Sequence, residues 1–380
     1  MQNPSYELKL KSKTDRGKKI YEFVSADGVA SKDSFREAEL ALADNVEPES
    51  DDNFLVVQGG YGFLGVILAD QAQKGETLVA ETSDRAYQLT KQNLKQNNIQ
   101  NASCRKVSFY SEIDQSFDKV VYAPKGYEPV KVVKNMISDA IKLLEQEGDL
   151  FVAGKKTDGI NRYKSQLNLM PGNTEKIAQD GKQRVYKYTK KEEFEPEKFD
   201  VETSFEAGIS GEKLGFTACE GLFSPKEMDE GSRLLIQNTE LSNGEEVLDL
   251  ACGYGIFGIF LQKLYGVDIH LTDDNKTATY YAEKNLESNN IQNYELKNKD
   301  CLDGFKDRKF DVIVSNPPTH QGSGVTDEMF RQAHKSLKRG GKLYLVYNQN
   351  MRFEDQLSEM FDAAEILEEK NNYRILKALK

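Results

Sequence analysis

The sequence predicts an α/β protein made of two tandem units, each a mostly parallel sheet with helices on both faces. Three observations predict it. An apolar strand turns at Gly253-Tyr254-Gly255 into an apolar helix, and the same pattern stands earlier at Gly60-Tyr61-Gly62. After each turn, apolar segments of strand length and helix length alternate. Glycines let the backbone double back and approach a ligand with no Cβ in the way. A strand, a glycine loop and a helix N-terminus open many nucleotide sites, though some such turns only pack a helix on its sheet.

The duplication is long and in one register. Val56-Val57-Gln58-Gly59-Gly60-Tyr61-Gly62 aligns with Asp249-Leu250-Ala251-Cys252-Gly253-Tyr254-Gly255, displaced by 193 residues. Asn97-Asn98-Ile99-Gln100-Asn101 recurs as Asn289-Asn290-Ile291-Gln292-Asn293, and Phe117-Asp118 as Phe310-Asp311. A period as long as a domain means two domains, not a solenoid. The expected division is 1–190 and 191–380, with the acidic stretch 192–206 at the join.

In the second copy strands and helices are expected to alternate as follows. A helix is expected over 226–237, capped by Ser224 with Pro225 in its first turn. Strand 246–250 leads through the glycine loop to helix 255–265, then strand 268–272. Helix 276–289 carries Ala278, Tyr281, Ala282 and Leu286 at helical spacing. Strand 311–315 ends at a proline pair, helix 327–337 stops at Gly340-Gly341, and strand 342–347, helix 353–361 and strand 373–378 complete the copy.

Composition sets bounds. Hydrophobic residues are 38% and charged residues 30% of 380, and no apolar run approaches the roughly 20 residues of a bilayer span. The polar start, residues 1–19, carries no export signal, so a cytoplasmic protein is expected. Cys104, Cys219, Cys252 and Cys301 form no CxxC pair, and the three histidines are scattered, so no metal site is expected. The net charge of −11 argues against a general nucleic-acid coat. Yet residues 9–19 hold six basic side chains against one acid, and 155–191 ten against three. Such runs suit either a solvated surface or a patch for RNA phosphates.

Two further motifs carry chemistry. Asp273-Asp274 stands about 20 residues beyond the glycine loop, where a carboxylate can accept both hydrogens of a ribose diol. Asn316-Pro317-Pro318 ends the strand 311–315 and so faces the same sheet edge as Gly253. The Asn316 side-chain oxygen and the Pro317 carbonyl can each accept one hydrogen of a planar amine, which aims its lone pair at a methyl donor. Asn-Pro-Pro by itself is also an ordinary turn.

Together these residues resemble the ribosomal RNA guanine-N2 methyltransferases of the RsmC type, a branch of the Rossmann-like, S-adenosylmethionine-dependent methyltransferases. The likeness runs from Gly221-Leu222-Phe223-Ser224 and Asp229-Glu230-Gly231-Ser232 through the glycine loop to Asn316-Pro317-Pro318-Thr319-His320 and residues 351–377. With its tandem layout it covers nearly the whole chain. The resemblance implies S-adenosyl-L-methionine as cofactor and ribosomal RNA or a ribosomal particle as partner, with no metal and no membrane. It implies methylation of a guanine N2 amine, with the small subunit as the expected target. Asp249, Gly253 and Gly255 would line the methionine end, Asp273 would hold the ribose and Asp300 the adenine. Asn316, Pro317 and Pro318 would grip the target amine. The family usually has an aromatic ring after the prolines. Thr319 stands there instead, so either Tyr254 or Phe223 stacks the base or the target differs. His320 fits the pattern without a defined role.

The first copy keeps the turn glycines and loses the rest. Val56 replaces Asp249, Val107 stands near the place of Asp300, Ala123 replaces Asn316, and only Glu81 answers to Asp273. The first copy is therefore expected to bind no cofactor and to serve as scaffold and RNA-positioning domain. The alternatives are a methyltransferase for another planar amine (adenine N6 or a protein glutamine) and a non-catalytic ribosome-assembly factor. An NAD-dependent dehydrogenase leaves Asn316-Pro317-Pro318 unexplained.

Overall fold

Two seven-stranded sheets with one strand order organise the chain. The computed structural model describes residues 5–14, 17–319 and 322–380. It divides into Met1–Val201 and Glu202–Lys380. The first unit runs β1 (Ser5–Thr14), β2 (Gly17–Ala26), α1 (Glu37–Asn45), β3 (Phe54–Val57), α2 (Phe63–Gln71), β4 (Thr77–Glu81), α3 (Asp84–Gln96), β5 (Ala102–Lys106), β6 (Phe117–Tyr122), α4 (Val130–Lys142), β7 (Leu144–Lys155), α5 (Ile160–Leu167), β8 (Gly172–Asp180) and β9 (Gln183–Lys190). The second runs β10 (Glu202–Ile209), β11 (Glu212–Cys219), α6 (Glu230–Asn238), β12 (Glu246–Leu250), α7 (Ile256–Tyr265), β13 (Asp268–Asp273), α8 (Lys276–Ser288), β14 (Tyr294–Asn298), β15 (Phe310–Ser315), α9 (Ser323–Ser336), β16 (Leu337–Asn348), α10 (Glu354–Met360), β17 (Ala363–Lys370) and β18 (Tyr373–Leu379).

The sheet orders are β5-β4-β3-β6-β7-β9-β8 and β14-β13-β12-β15-β16-β18-β17. Five strands of each are parallel, and β9 and β18 run against both their neighbours. The central strands are apolar because helices cover both sheet faces. Val247, Leu248 and Leu250 in β12, and Val312, Ile313 and Val314 in β15, are at most 2% exposed.

The duplication reaches further than the glycine loops. A hairpin precedes each sheet, β1–β2 in one unit and β10–β11 in the other, and two asparagines fasten each, Asn93 with Asn97 and Asn285 with Asn289. Asn285 accepts the Thr217 amide at 2.7 Å and donates to the carbonyls of Thr217 and Tyr254, both at 2.9 Å. Asn93 does the same with Val24, at 2.8 Å each way, and with the Tyr61 carbonyl at 2.7 Å. The ring pairs match as well: Phe23 meets Tyr61 edge-on at 6.1 Å, and Phe216 meets Tyr254 at 6.2 Å.

Several boundaries differ from expectation. The first unit extends to Val201 rather than Lys190 because its last segment folds back on α4. Ser138 Oγ donates to the Glu197 carbonyl at 2.7 Å, and Asn135 exchanges two bonds with Phe199. Helix α6 starts later than 226 and is capped by Asp229, whose carboxylate accepts the Ser232 amide at 3.2 Å. Ser224 instead turns left-handed at φ 45° and donates its hydroxyl to the Glu227 carbonyl. Helix α9 begins a turn before 327, since its buried face already includes Gly324, Val325 and Thr326.

The basic run in the first unit is partly neutralised. Lys155, Lys187 and Lys191 pair with Glu37, Glu175 and Glu147. Lys190 is only 2% exposed and donates to the Leu144 carbonyl at 2.7 Å. For Lys190 a structural role outweighs phosphate binding.

Candidate active site

The second sheet brings the chemistry-bearing residues to one edge. Leu250 of β12 pairs in register with Thr272 of β13 and with Ser315 of β15, and Asp273 pairs with Asn298 of β14. The strands therefore end together, and the residues that follow them meet. Strand order reverses between β13 and β15 around β12, which opens a crevice at the carboxyl ends. The Ser315 hydroxyl ties two of these ends by donating to the Leu250 carbonyl at 2.6 Å.

The loop after β12 is left-handed at Ala251, Gly253 and Gly255, with φ of 61°, 56° and 87°. A side chain at Gly253 or Gly255 would be strained at such angles. Asp273 holds the loop. Its carboxylate accepts the Gly253 amide at 2.8 Å through one oxygen and the Asn275 amide at 2.8 Å through the other. Burial raises its pKa, and the two amides oppose the shift. The residues after β14 are fixed by Thr272 Oγ1, which donates to the carbonyls of Lys299 and Cys301 at 3.3 and 3.2 Å. Asn298 Nδ2 also donates to the carbonyls of Asp273 and Asp274 at 3.0 and 2.8 Å.

A cavity of about 300 Å3 lies over these strand ends. Of the residues expected at the site, Gly253, Asp273, Asp300, Asn316, Pro317 and Pro318 line it. Asn316 and Pro318 are half-buried and Pro317 is buried. The Thr319 amide donates to the Pro317 carbonyl at 2.8 Å, which occupies one lone pair and leaves the second.

Asp249 and Gly255 are placed differently: neither belongs to the cavity wall. Asp249 is 1% exposed and accepts the Gly258 amide of α7 at 2.9 Å through Oδ2, while its Oδ1 is buried without a partner. Burial pushes its pKa up to about 7, the Gly258 amide opposing and Asp273 adding to the rise. It buttresses the glycine loop from behind. His320 lies outside the described residues. Sequence reasoning missed Asn275, Lys299, Cys301, Val325 and Met329, which also line the cavity. The sole signal for Lys299 and Cys301 was their adjacency to Asp300.

At the corresponding strand ends of the first unit, resident side chains bond to the backbone and to one another. Tyr110, fully buried, donates to the Ala80 carbonyl at 3.0 Å and accepts the Gln58 amide at 2.8 Å. Glu128 accepts from Gln58 Nε2 at 2.6 Å and from the Lys125 amide at 2.7 Å. Glu81 accepts the Gly60 amide as Asp273 accepts that of Gly253.

The donor set fits an adenosyl cofactor: carboxylates suit a ribose diol and an exocyclic amine, and backbone N–H groups at a helix start suit an anionic group. Among the described residues no group of histidine, cysteine and carboxylate side chains has a metal-binding arrangement. None of their helices is long and apolar enough to cross a membrane.

Comparison with known proteins agrees with this geometry. Ribosomal RNA small subunit methyltransferase C of Hahella chejuensis is 26% identical over 276 residues, covering 70% of this chain and 79% of its own. Ribosomal RNA large subunit methyltransferase G of Aeromonas hydrophila is 31% identical over 167 residues, and the match spans 44% of its length. A solved T. thermophilus 16S rRNA N2 methyltransferase (RsmC), in complex with AdoMet and guanosine, shares the fold over 98% of both chains, with a TM-score of 0.83 at 24% identity. The methyltransferase small domain family matches residues 20–187 and again 213–377. Matched once on each unit, this chain belongs to the methyltransferase small domain family.

Proposed function

We propose that the second unit transfers a methyl group from S-adenosyl-L-methionine to the exocyclic N2 amine of a guanine in ribosomal RNA, within the small subunit. The first unit serves as scaffold and RNA-positioning domain. One observation carries the reading: Asn316-Pro317-Pro318 shares a single cavity with Gly253, Asp273 and Asp300. That puts acceptors for a planar amine beside acceptors for a nucleoside.

When bound, the cofactor supplies an electrophilic methyl group on a sulfonium. Asp273 would hold its ribose hydroxyls and Asp300 its adenine, while Gly253 leaves room at the methionine end. Asp249 supports the loop from behind. Asn316 Oδ1 and the remaining lone pair of the Pro317 carbonyl accept the two hydrogens of the target amine. This fixes its plane and favours the pyramidal nitrogen that attack requires. No strong base is needed at the start, because the neutral amine attacks as the methyl–sulfur bond breaks and then loses its proton to water. The target base reaches the cavity unpaired or flipped out of its helix. With ribosomal RNA as substrate, the protein works in the cytoplasm.

Mass spectrometry of ribosomal RNA from cells with and without the protein tests this. An N2-methylguanine in the small-subunit RNA should disappear with the protein and return with the wild-type chain. Asn316→Ala should fail to restore it while cofactor affinity holds. Disappearance of a methylated adenine, or of a methylated protein glutamine, would reassign the substrate. Unchanged modification alongside defective particles would favour an assembly factor.

A further inference from the structure

We propose that Phe223 is the ring on which the target base stacks. This rests on the function proposed above and names the part of the site that grips the base plane.

Three aromatic side chains line the cavity: Phe223, Tyr254 and Phe257. Tyr254 is 5% exposed and Phe257 is 3% exposed. Tyr254 is also committed. Its hydroxyl donates to the Ser224 carbonyl at 3.2 Å, and its ring packs edge-on against Phe205 and Phe216 at 5.9 and 6.2 Å. Neither buried ring offers a face to an incoming base. Phe223 is 62% exposed. A single exposed aromatic is ordinary on a protein surface, but this one borders the cavity that contains Asn316. Thr319, immediately after the prolines, has no ring to offer.

The segment bearing Phe223 is built to hold still. Gly221 turns at φ 103° and Ser224 at φ 45°. The Leu222 amide donates to the Cys219 carbonyl at 3.0 Å, and the Ser224 hydroxyl donates to the Glu227 carbonyl at 2.7 Å. Thr203 Oγ1 donates to the Pro225 carbonyl. Together with the bond from Tyr254, these contacts fix the backbone on both sides of Phe223. A ring carried by a fixed turn loses little freedom when a base lands on it. Aromatic faces of this kind are what enzymes offer to unstacked nucleobases.

The test uses the full chain, tritiated S-adenosylmethionine, and small-subunit particles from cells lacking the protein. Phe223→Ala should lower kcat/KM for the particles by roughly tenfold to a hundredfold, chiefly through KM, the range found when a stacking ring is removed. Cofactor affinity by calorimetry should stay within about twofold. Phe223→Trp should recover most of the activity and Phe223→Leu should not, because a planar face and not apolar bulk is required. The chain has no tryptophan, so Phe223→Trp also yields a single-tryptophan protein. Its emission should be quenched by particles in the presence of S-adenosylhomocysteine, and not by S-adenosylhomocysteine alone.

Wild-type kcat/KM in Phe223→Ala, full recovery in Phe223→Leu, or unquenched tryptophan would each overturn the stacking role and leave the methyltransferase reading standing. Lost cofactor affinity in Phe223→Ala would move the residue to the cofactor's wall and overturn it too. If the wild-type chain labels no ribosomal RNA, the proposed function itself falls and takes this role with it.

Discussion

Arg36 donates through its guanidinium to the carbonyl oxygen of Pro124 at 3.1 Å, and to that of Ala123 at 2.9 Å. Ala123-Pro124 stands in the first unit where Asn316-Pro317 stands in the second. Each of those backbone oxygens already accepts from a resident cation, and no asparagine stands there to accept from an amine. Tyr110 adds bonds to Gln58 and Ala80 at the neighbouring strand ends.

One cofactor per chain is the expected stoichiometry. Calorimetry of the full chain with S-adenosylmethionine should give a stoichiometry of one. Asp273→Ala removes a charged acceptor and should weaken binding by roughly tenfold to a hundredfold, in line with hydrogen bonds to charged groups. Glu81→Ala should leave the Kd within about twofold. A second site of comparable affinity would mean that the first unit is open.

Asp249 makes stability depend on pH. Its pKa rises from an ordinary 3.8 to about 7 through burial, with Asp273 contributing. Between those values the folded protein keeps a proton that the unfolded chain has released. The stability tied to that proton is complete below about pH 4 and is lost as pH rises through 7, by up to about 4 kcal/mol. Asp249→Asn keeps an acceptor for Gly258 and cannot ionise. Urea unfolding should show the variant gaining on wild type between pH 4.5 and 7.5. A constant difference across that range would show that Asp249 ionises normally.

The two asparagine clasps should be equal in stability and unequal in function. Removing either side chain strands buried backbone groups, at a cost of about 2–4 kcal/mol. Asn285→Ala should also weaken cofactor binding, because Asn285 holds the Tyr254 carbonyl in the glycine loop. Asn93→Ala should destabilise to a similar degree and leave cofactor affinity unchanged. Denaturation combined with calorimetry on both variants checks this, and equal losses of affinity would contradict it.

Much of the second unit was legible because parallel strands under two helix layers are written as short apolar runs, and glycines mark where they turn. Gly253, Asp273 and Asn316 could be placed together from strand ends alone. Motif position alone sets Asp249 with the cofactor, but it takes no account of the side-chain alternation of a strand. Leu248 and Leu250 face one side of the sheet, and Asp249 faces the other, under Gly258. The hairpins escaped notice because β10 and β11 alternate exposed and covered residues without a continuous apolar run. Ser224-Pro225 has the composition of a helix start, whereas the tight turn 221–225 uses both residues and Asp229 is left to cap α6.

The clasps also bear on ancestry. Asn93 and Asn285 grip only main-chain atoms of the hairpins, so the fastening constrains none of the hairpin side chains. The two copies differ at their strand ends while keeping the same fastening and the matching rings of Phe23 and Phe216. Selection for folding and selection for chemistry could then act on separate halves of one polypeptide. Descendants of the duplication should retain both asparagines long after the residues of one catalytic edge have drifted.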